Sequence, residues 1–238
     1  MVDLKHSCLA LAAAAALVFS GAAQAQIVNG GFEAGLTGWT VVDQLGSEGT
    51  FFVQAGTTSP VNGASVPAPP QGVQAAMTDA AGPGSHVLYQ DFIVPTVAAG
   101  ATLSFQLYVR SEADFVSPGH LDFAGVDLNQ QVRVDLLSAA GDPFSTSVLM
   151  NLVQTQPGDP LVSGYSLHQF EVGGLLKAHA GETLRLRFAE VDNVFIQNLG
   201  VDAVALVLTP VPEPATAGLA GLGLAVLLLA RRWLRRRR

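Results

Sequence analysis

Cysteine is nearly absent: a single one, Cys8, stands in 238 residues. Once the N-terminal segment is removed there is none, which excludes a disulfide scaffold, a thiolate metal site and a cysteine nucleophile. Basic residues are scarce outside the C-terminus. Of twelve Lys and Arg, six are Arg231, Arg232, Arg235, Arg236, Arg237 and Arg238, and a seventh is Lys5. The stretch 26–210 keeps five, Arg110, Arg133, Lys177, Arg185 and Arg187, against seventeen of the nineteen acids, a net charge of about −12. So acidic a body repels phosphate backbones, and nucleic acid is not expected as a partner. Aromatic platforms are few. The body has one tryptophan, Trp39, which sits where a strand begins and is expected in the core, and three tyrosines, Tyr89, Tyr108 and Tyr165. Tyr165, after Ser163-Gly164, is the loop candidate for stacking on a ligand ring. His86, His120, His168 and His179 show no metal-ligand spacing, and neither H-E-x-x-H nor G-x-S-x-G occurs.

The N-terminus has the layout of a secretory signal. Lys5 and His6 precede an unbroken apolar run, Leu9 to Phe19, and Ala23-Gln24-Ala25 satisfies the small-x-small cleavage rule. The mature chain is therefore expected to begin at Gln26. Three regions follow: a leader at 1–25, one domain at 26–210 and a tail at 211–238.

The domain lacks helical periodicity. Short alternating or apolar runs are separated by Gly, Pro, Asn and Asp, the pattern of an all-β sandwich with negligible helix. The expected strands are Trp39–Asp43, Gly49–Gln54, Gly72–Thr78, Val87–Val94, Thr102–Arg110, Gln131–Ser138, Thr146–Val153, Ser166–Val172, Thr183–Val191 and Gly200–Leu208. In "TLRLRFAEV", Leu184, Leu186 and Phe188 take one face and Arg185 and Arg187 the other. Residues 56–72, rich in Pro, Ser and Gly, read as a long exposed loop, and 110–131 as a second insertion.

The tail joins Val211-Pro212-Glu213-Pro214, an uncharged stretch from Ala215 to Ala230, Trp233 and the arginine cluster. Sixteen helical residues would span about 24 Å, slightly short of the roughly 30 Å apolar thickness of a bilayer. The six arginines are a cytoplasmic stop by the positive-inside rule, so the body is expected outside. Pro-Glu-Pro, apolar helix and arginine cluster in this order resemble the PEP-CTERM protein-sorting domain of bacteria that make exopolysaccharide. The resemblance implies recognition and cleavage by exosortase, and hence a precursor anchored in the inner membrane whose body ends at the cell surface or in the extracellular matrix.

A second resemblance lies in the body. "NGGFEAGLTGW" (29–39), "VAAGATLSFQLYVR" (97–110) and "LGVDAVALV" (199–207) are similar to segments of carbohydrate-binding-module-like jelly rolls of the galactose-binding-like superfamily. In the closing segment Ala203 stands where a second polar residue is usual. The resemblance implies a jelly-roll β-sandwich and a structural calcium held by Glu33 and Asp202, with the Gly31 carbonyl as a third donor; no other cofactor is implied. The expected function is that of an exported matrix protein, structural, adhesive or polysaccharide-associated, and not an enzyme. The alternative is a secreted hydrolase of exopolysaccharide, whose paired carboxylates would come from "EADF" (112–115) and "HLDFAGVD" (120–127).

Overall fold

The computed structural model describes residues 27–78, 82–95 and 100–209, together with 223 and 232. The expected leader with its cleavage residues Ala23 and Ala25, the Val211–Pro214 motif, the apolar stretch and the arginine cluster fall outside this range, Gly223 and Arg232 apart. Among the described residues no helix is long and apolar enough to cross a membrane.

Ten strands carry the fold: β1 (Thr40–Asp43), β2 (Phe51–Ala55), β3 (Gln74–Thr78), β4 (Gly84–Ile93), β5 (Gly100–Ser111), β6 (Gln130–Ser138), β7 (Met150–Gln154), β8 (Ser166–Glu171), β9 (Thr183–Asp192) and β10 (Gln197–Thr209). A short helix, α1 (Gly173–Ala178), joins β8 to β9 and buries Leu176. The strands form two antiparallel five-stranded sheets, β1-β4-β9-β6-β7 and β2-β3-β10-β5-β8. Only β2–β3 and β6–β7 are sequential neighbours within a sheet; every other connection crosses from one layer to the other. Each expected strand is present, with ends shifted by a few residues.

Period-2 alternation builds the core between the layers. Leu184, Leu186 and Phe188 of β9 face Leu103, Phe105 and Leu107 of β5, all within 2 % of complete burial. Phe188 meets Phe105 edge-on at 5.3 Å and Trp39 at 5.9 Å, and Trp39 packs on Phe32 at 5.2 Å. Trp39 is thus a core residue, as its place at the head of a strand suggests.

The outer faces are less open than alternation alone implies. Arg185 and Arg187 point away from the core, yet both are buried, because residues 139–145 fold over them. Arg185 donates to the Ala139 and Gly141 carbonyls, grips Asp91 through two bonds and stacks on Tyr89 at 3.8 Å. Arg187 donates to the Pro143 and Ser145 carbonyls and to Asp135. Residues 146–149 are accordingly loop, and β7 begins only at Met150. The 56–72 segment is exposed along most of its length, but it covers the second sheet with buried Ser59 and Val66; Val66 packs on Met77, Tyr108 and Tyr165.

Candidate functional site

The opening motif is a knot of turns tied by one side chain. Asn29 Nδ2 donates to the Gly35 and Thr37 carbonyls, and its Oδ1 accepts the Ala34 N–H. Its backbone carbonyl accepts both the Phe32 N–H and the Trp39 indole N–H. Asn29 and Phe32 both have positive φ, 52° and 56°, a conformation asparagine tolerates better than most residues. The knot fixes Phe32 and Trp39 in the core, and leaves Gly30 against the closing strand and Gly31 and Glu33 against residues 71–74.

That strand is bulged where the knot meets it. The β10–β5 register shifts between Asp202 and Ala205, and Ala203 has φ 51°. The bulge turns the Val204 N–H onto the Gly30 carbonyl at 2.9 Å. A Cβ on Gly30 would lie 1.9 Å from the Val204 carbonyl oxygen, so only glycine permits this approach. Alanine is costly at a left-handed position. Ala203→Gly is therefore expected to raise stability by roughly 1 kcal/mol, read as a higher chemical-denaturation midpoint with an unchanged slope.

Glu33 and Asp202 grip the same short segment, 71–74. Glu33 Oε1 accepts the Val73 and Gln74 N–H groups, each at 2.9 Å. Asp202 is fully buried; its Oδ2 accepts the Gln71 N–H at 2.8 Å and its Oδ1 the Ala203 N–H at 2.6 Å. The Gln71 amide oxygen lies 2.9 Å from where a Gly31 Cβ would stand. Burial pushes the Asp202 carboxyl up to about 6; the Gln71 and Ala203 N–H groups oppose this, and the Glu33 charge adds to it. The structure thus brings together Gly31, Glu33 and Asp202 around Gln71, a residue that carries no motif of its own in the sequence.

These donors are all hard oxygens, the kind a divalent calcium takes. Among the described residues no group of three His, Cys, Asp or Glu gathers as a metal cluster. A cation here would rely on two carboxylates and neutral oxygens, with the Gln71 amide and the Gly31 carbonyl at hand. The elevated Asp202 carboxyl beside a second acid suits a cation, which would offset both the desolvation and the repulsion.

Tyr165 has a different setting from an open platform. Its hydroxyl donates to Gln54 Oε1 at 2.7 Å, its ring lies 5.7 Å from Tyr108, and it abuts Gly200. Burial, followed by the charge of Asp202, raises its hydroxyl pKa.

Three of the loop acids at 112–127, Glu112, Asp122 and Asp127, are tied locally. Glu112 pairs with Arg110 at 2.7 Å, and Asp127 lies 3.3 Å from His120. The Gln44 amide and the Ala124 N–H hold the Asp122 carboxyl below its usual range, the reverse of what a glycosidase general acid needs. His86 and His179 pair with Asp43 and Glu182, while His168 stacks on Phe105 and burial lowers its pKa.

Residues 210–238 match the PEP-CTERM protein-sorting motif. No curated protein matches the chain significantly. Among solved structures, the chain is similar to a family 61 carbohydrate-binding module in complex with β-1,4-galactotriose, at 14% identity and a TM-score of 0.46 over 78% of this chain and 99% of that one. It is also similar to the K3 cleaved adhesin domain of Lys-gingipain from Porphyromonas gingivalis W83, at 16% identity and a TM-score of 0.48 over 76% of this chain and 97% of that one. A third similar structure is the enzymatically active domain of bacteriophage CBA120 tailspike protein 4, at 9% identity and a TM-score of 0.44; the match takes 77% of this chain but spans only 21% of the tailspike chain.

Proposed function

We propose that this chain is the precursor of an exported matrix protein, delivered by its C-terminal tail to an exosortase, whose jelly-roll domain associates with extracellular polysaccharide outside the cell. The observation that carries the reading is the sorting motif at 210–238. In the proposed order, a leader ending at Ala25 directs export, and residues 215–230 hold the precursor in the inner membrane with Arg231 and Arg232 on the cytoplasmic side. Cleavage near Val211–Pro214 then frees the body to the cell surface or matrix.

Two features of the body support the jelly-roll part. Consecutive strands alternate between the sheets almost throughout, and the opening and closing motifs, far apart in sequence, lie in contact through Gly30 and Val204. Calcium held by Glu33, Asp202, Gln71 and Gly31 would clamp that contact and the 71–74 segment together, and its part is structural. A disulfide-free domain gains most from a tie between its first turn and its last strand.

The association is tested by sedimenting the purified protein with the exopolysaccharide of the producing cells. Retention in the polysaccharide pellet is expected. Protein left in the supernatant at every polysaccharide concentration would remove the association and leave the sorting role untouched.

A further inference from the structure

At one pole of the sandwich the interior changes character. The inward positions that carry Leu88, Val132, Phe188 and Leu199 deeper in the core are continued toward this pole by His86, Gln130, Glu190 and Gln197, all fully buried, and then by Asp192 at 2 % exposure. His86 binds Asp43 through Nδ1, and Gln197 donates to Glu190 and to the Gln131 carbonyl. Among the described residues His86 Nε2 and Gln197 Oε1 have no hydrogen-bond partner. Buried polar atoms in that state are uncommon in native interiors and point to something polar beside them.

A cavity of about 180 Å³ opens where Asp192 ends this cluster. Gly82, Pro83 and residues 192–196 line it. The unpartnered His86 Nε2 lies over Gly84, next to Pro83 in the wall, and Gly84 is the strand partner of Asp192. On its rim Phe195 is 55% exposed. The backbone of Phe195 is nonetheless rigid: buried Gln130 donates to its carbonyl at 2.8 Å and accepts its N–H at 3.2 Å. An exposed ring on a backbone fixed from below is an apolar platform held in place before any ligand arrives.

Charge narrows what fits. Glu48 reaches Gly82 from the β1–β2 connection, Asp192 lines the cavity, and Glu112 donates its N–H to the Ile196 carbonyl. The nearby Arg110 is engaged by Glu112. An acidic ligand would be repelled, whereas hydroxyl or ammonium donors are matched by the Asp192 and Glu48 carboxylates. Position adds to this. Strand β10 starts at this pole and runs 13 residues to Thr209, a span of about 40 Å at ~3.3 Å per residue. The cavity thus lies at the opposite end of β10 from Thr209.

We propose that this distal cavity binds one non-acidic sugar ring, at a chain end or branch of a polysaccharide, with Phe195 stacked on the ring and Asp192 accepting from its hydroxyl or ammonium groups. The proposal rests on the polysaccharide reading above and gives it a location.

Saturation-transfer NMR on the full chain in detergent micelles tests it, with D-glucose, N-acetyl-D-glucosamine, D-glucosamine and D-glucuronate as probes. Transfer to at least one of the first three and none to glucuronate is expected. Phe195→Ala should weaken that binding tenfold or more, while Phe52→Ala, an exposed phenylalanine elsewhere, should leave it unchanged. No transfer to any non-acidic probe, transfer to glucuronate, or equal binding by Phe195→Ala overturns the assignment. Sedimentation separates the two readings. Wild type and Phe195→Ala pelleting equally with the polysaccharide would show that it binds elsewhere on the domain, and the absence of both pelleting and transfer would remove both.

Discussion

Asp135→Ala is expected to destabilise the domain by about 3–5 kcal/mol, the cost of leaving buried positive charge without its partner. Asp135 and Arg187 are cross-strand neighbours on β6 and β9, and both are fully buried. Arg133 binds the same carboxylate through Nε and a terminal nitrogen, each at 2.7 Å, and Asn151 donates to it at 2.8 Å. Removing that carboxylate strands two buried guanidinium groups, those of Arg133 and Arg187. Burial by itself would raise the Asp135 carboxyl; the hydrogen bond from Arg133 and the charges of Arg187 and Arg133 outweigh it and hold the group below its usual range. A depressed acid contributes stability that is present above its unfolded pKa and lost as pH falls through the folded one. Wild type should therefore lose this contribution only in strong acid, and the variant should lack it at every pH. At roughly 2–4 °C per kcal/mol for a domain of this size, the melting temperature should drop by about 10 °C. A fall of under about 2 °C would mean that Arg133 and Arg187 are satisfied without Asp135.

The second large effect concerns Asp202 and has the opposite sign with pH. Its carboxyl is pushed up to about 6 from an ordinary value of 3.8, by burial first and by Glu33 in addition. A raised folded pKa gives a contribution that is full below about 3.8 and lost as pH rises through about 6. Without divalent cation the domain should accordingly weaken between about pH 4 and pH 7. Calcium favours the ionised form, so its binding releases a proton and strengthens as pH passes 6. At a hundredfold excess over its dissociation constant it should add about 2.7 kcal/mol, with the protection fading below pH 6. Asp202→Asn should abolish both the pH slope in this window and the calcium response. Because the readout is the difference with and without calcium, it holds even if the amide, which cannot accept both N–H groups as the carboxylate does, lowers overall stability. Equal melting curves with calcium and with chelator at pH 8 would return Glu33 and Asp202 to being backbone-capping acids.

All ten strands were legible in the sequence because the signal for a half-buried strand is local: Leu184, Leu186 and Phe188 alternate with arginine whatever lies across the interface. What covers the outer faces was not legible. Arg185 and Arg187 read only as the other face of the strand, and nothing local says that the Ala139, Gly141, Pro143 and Ser145 carbonyls will arrive over them. The meeting of the two terminal motifs was legible by resemblance, through Gly31, Glu33 and Asp202. Gln71, which links them, was not, since a glutamine in a Pro-rich loop carries no pattern. Ala203 is instructive in the same way: a residue out of keeping with its motif occupies a left-handed bulge where the backbone, not the side chain, makes the contact. The polar pole under Phe195 was hidden because His86, Glu190 and Gln197 sit in phase with apolar neighbours, and periodicity reports which way a residue faces, not what it meets there.

The sorting claim is tested most directly by the intact mass of the protein recovered from outside the cells. The account predicts a chain that begins at Gln26 and ends near Val211–Pro214, without the arginine cluster, and that keeps its tail in cells lacking the processing enzyme. A surface form that still ends at Arg238 would contradict it and leave the tail a plain membrane anchor.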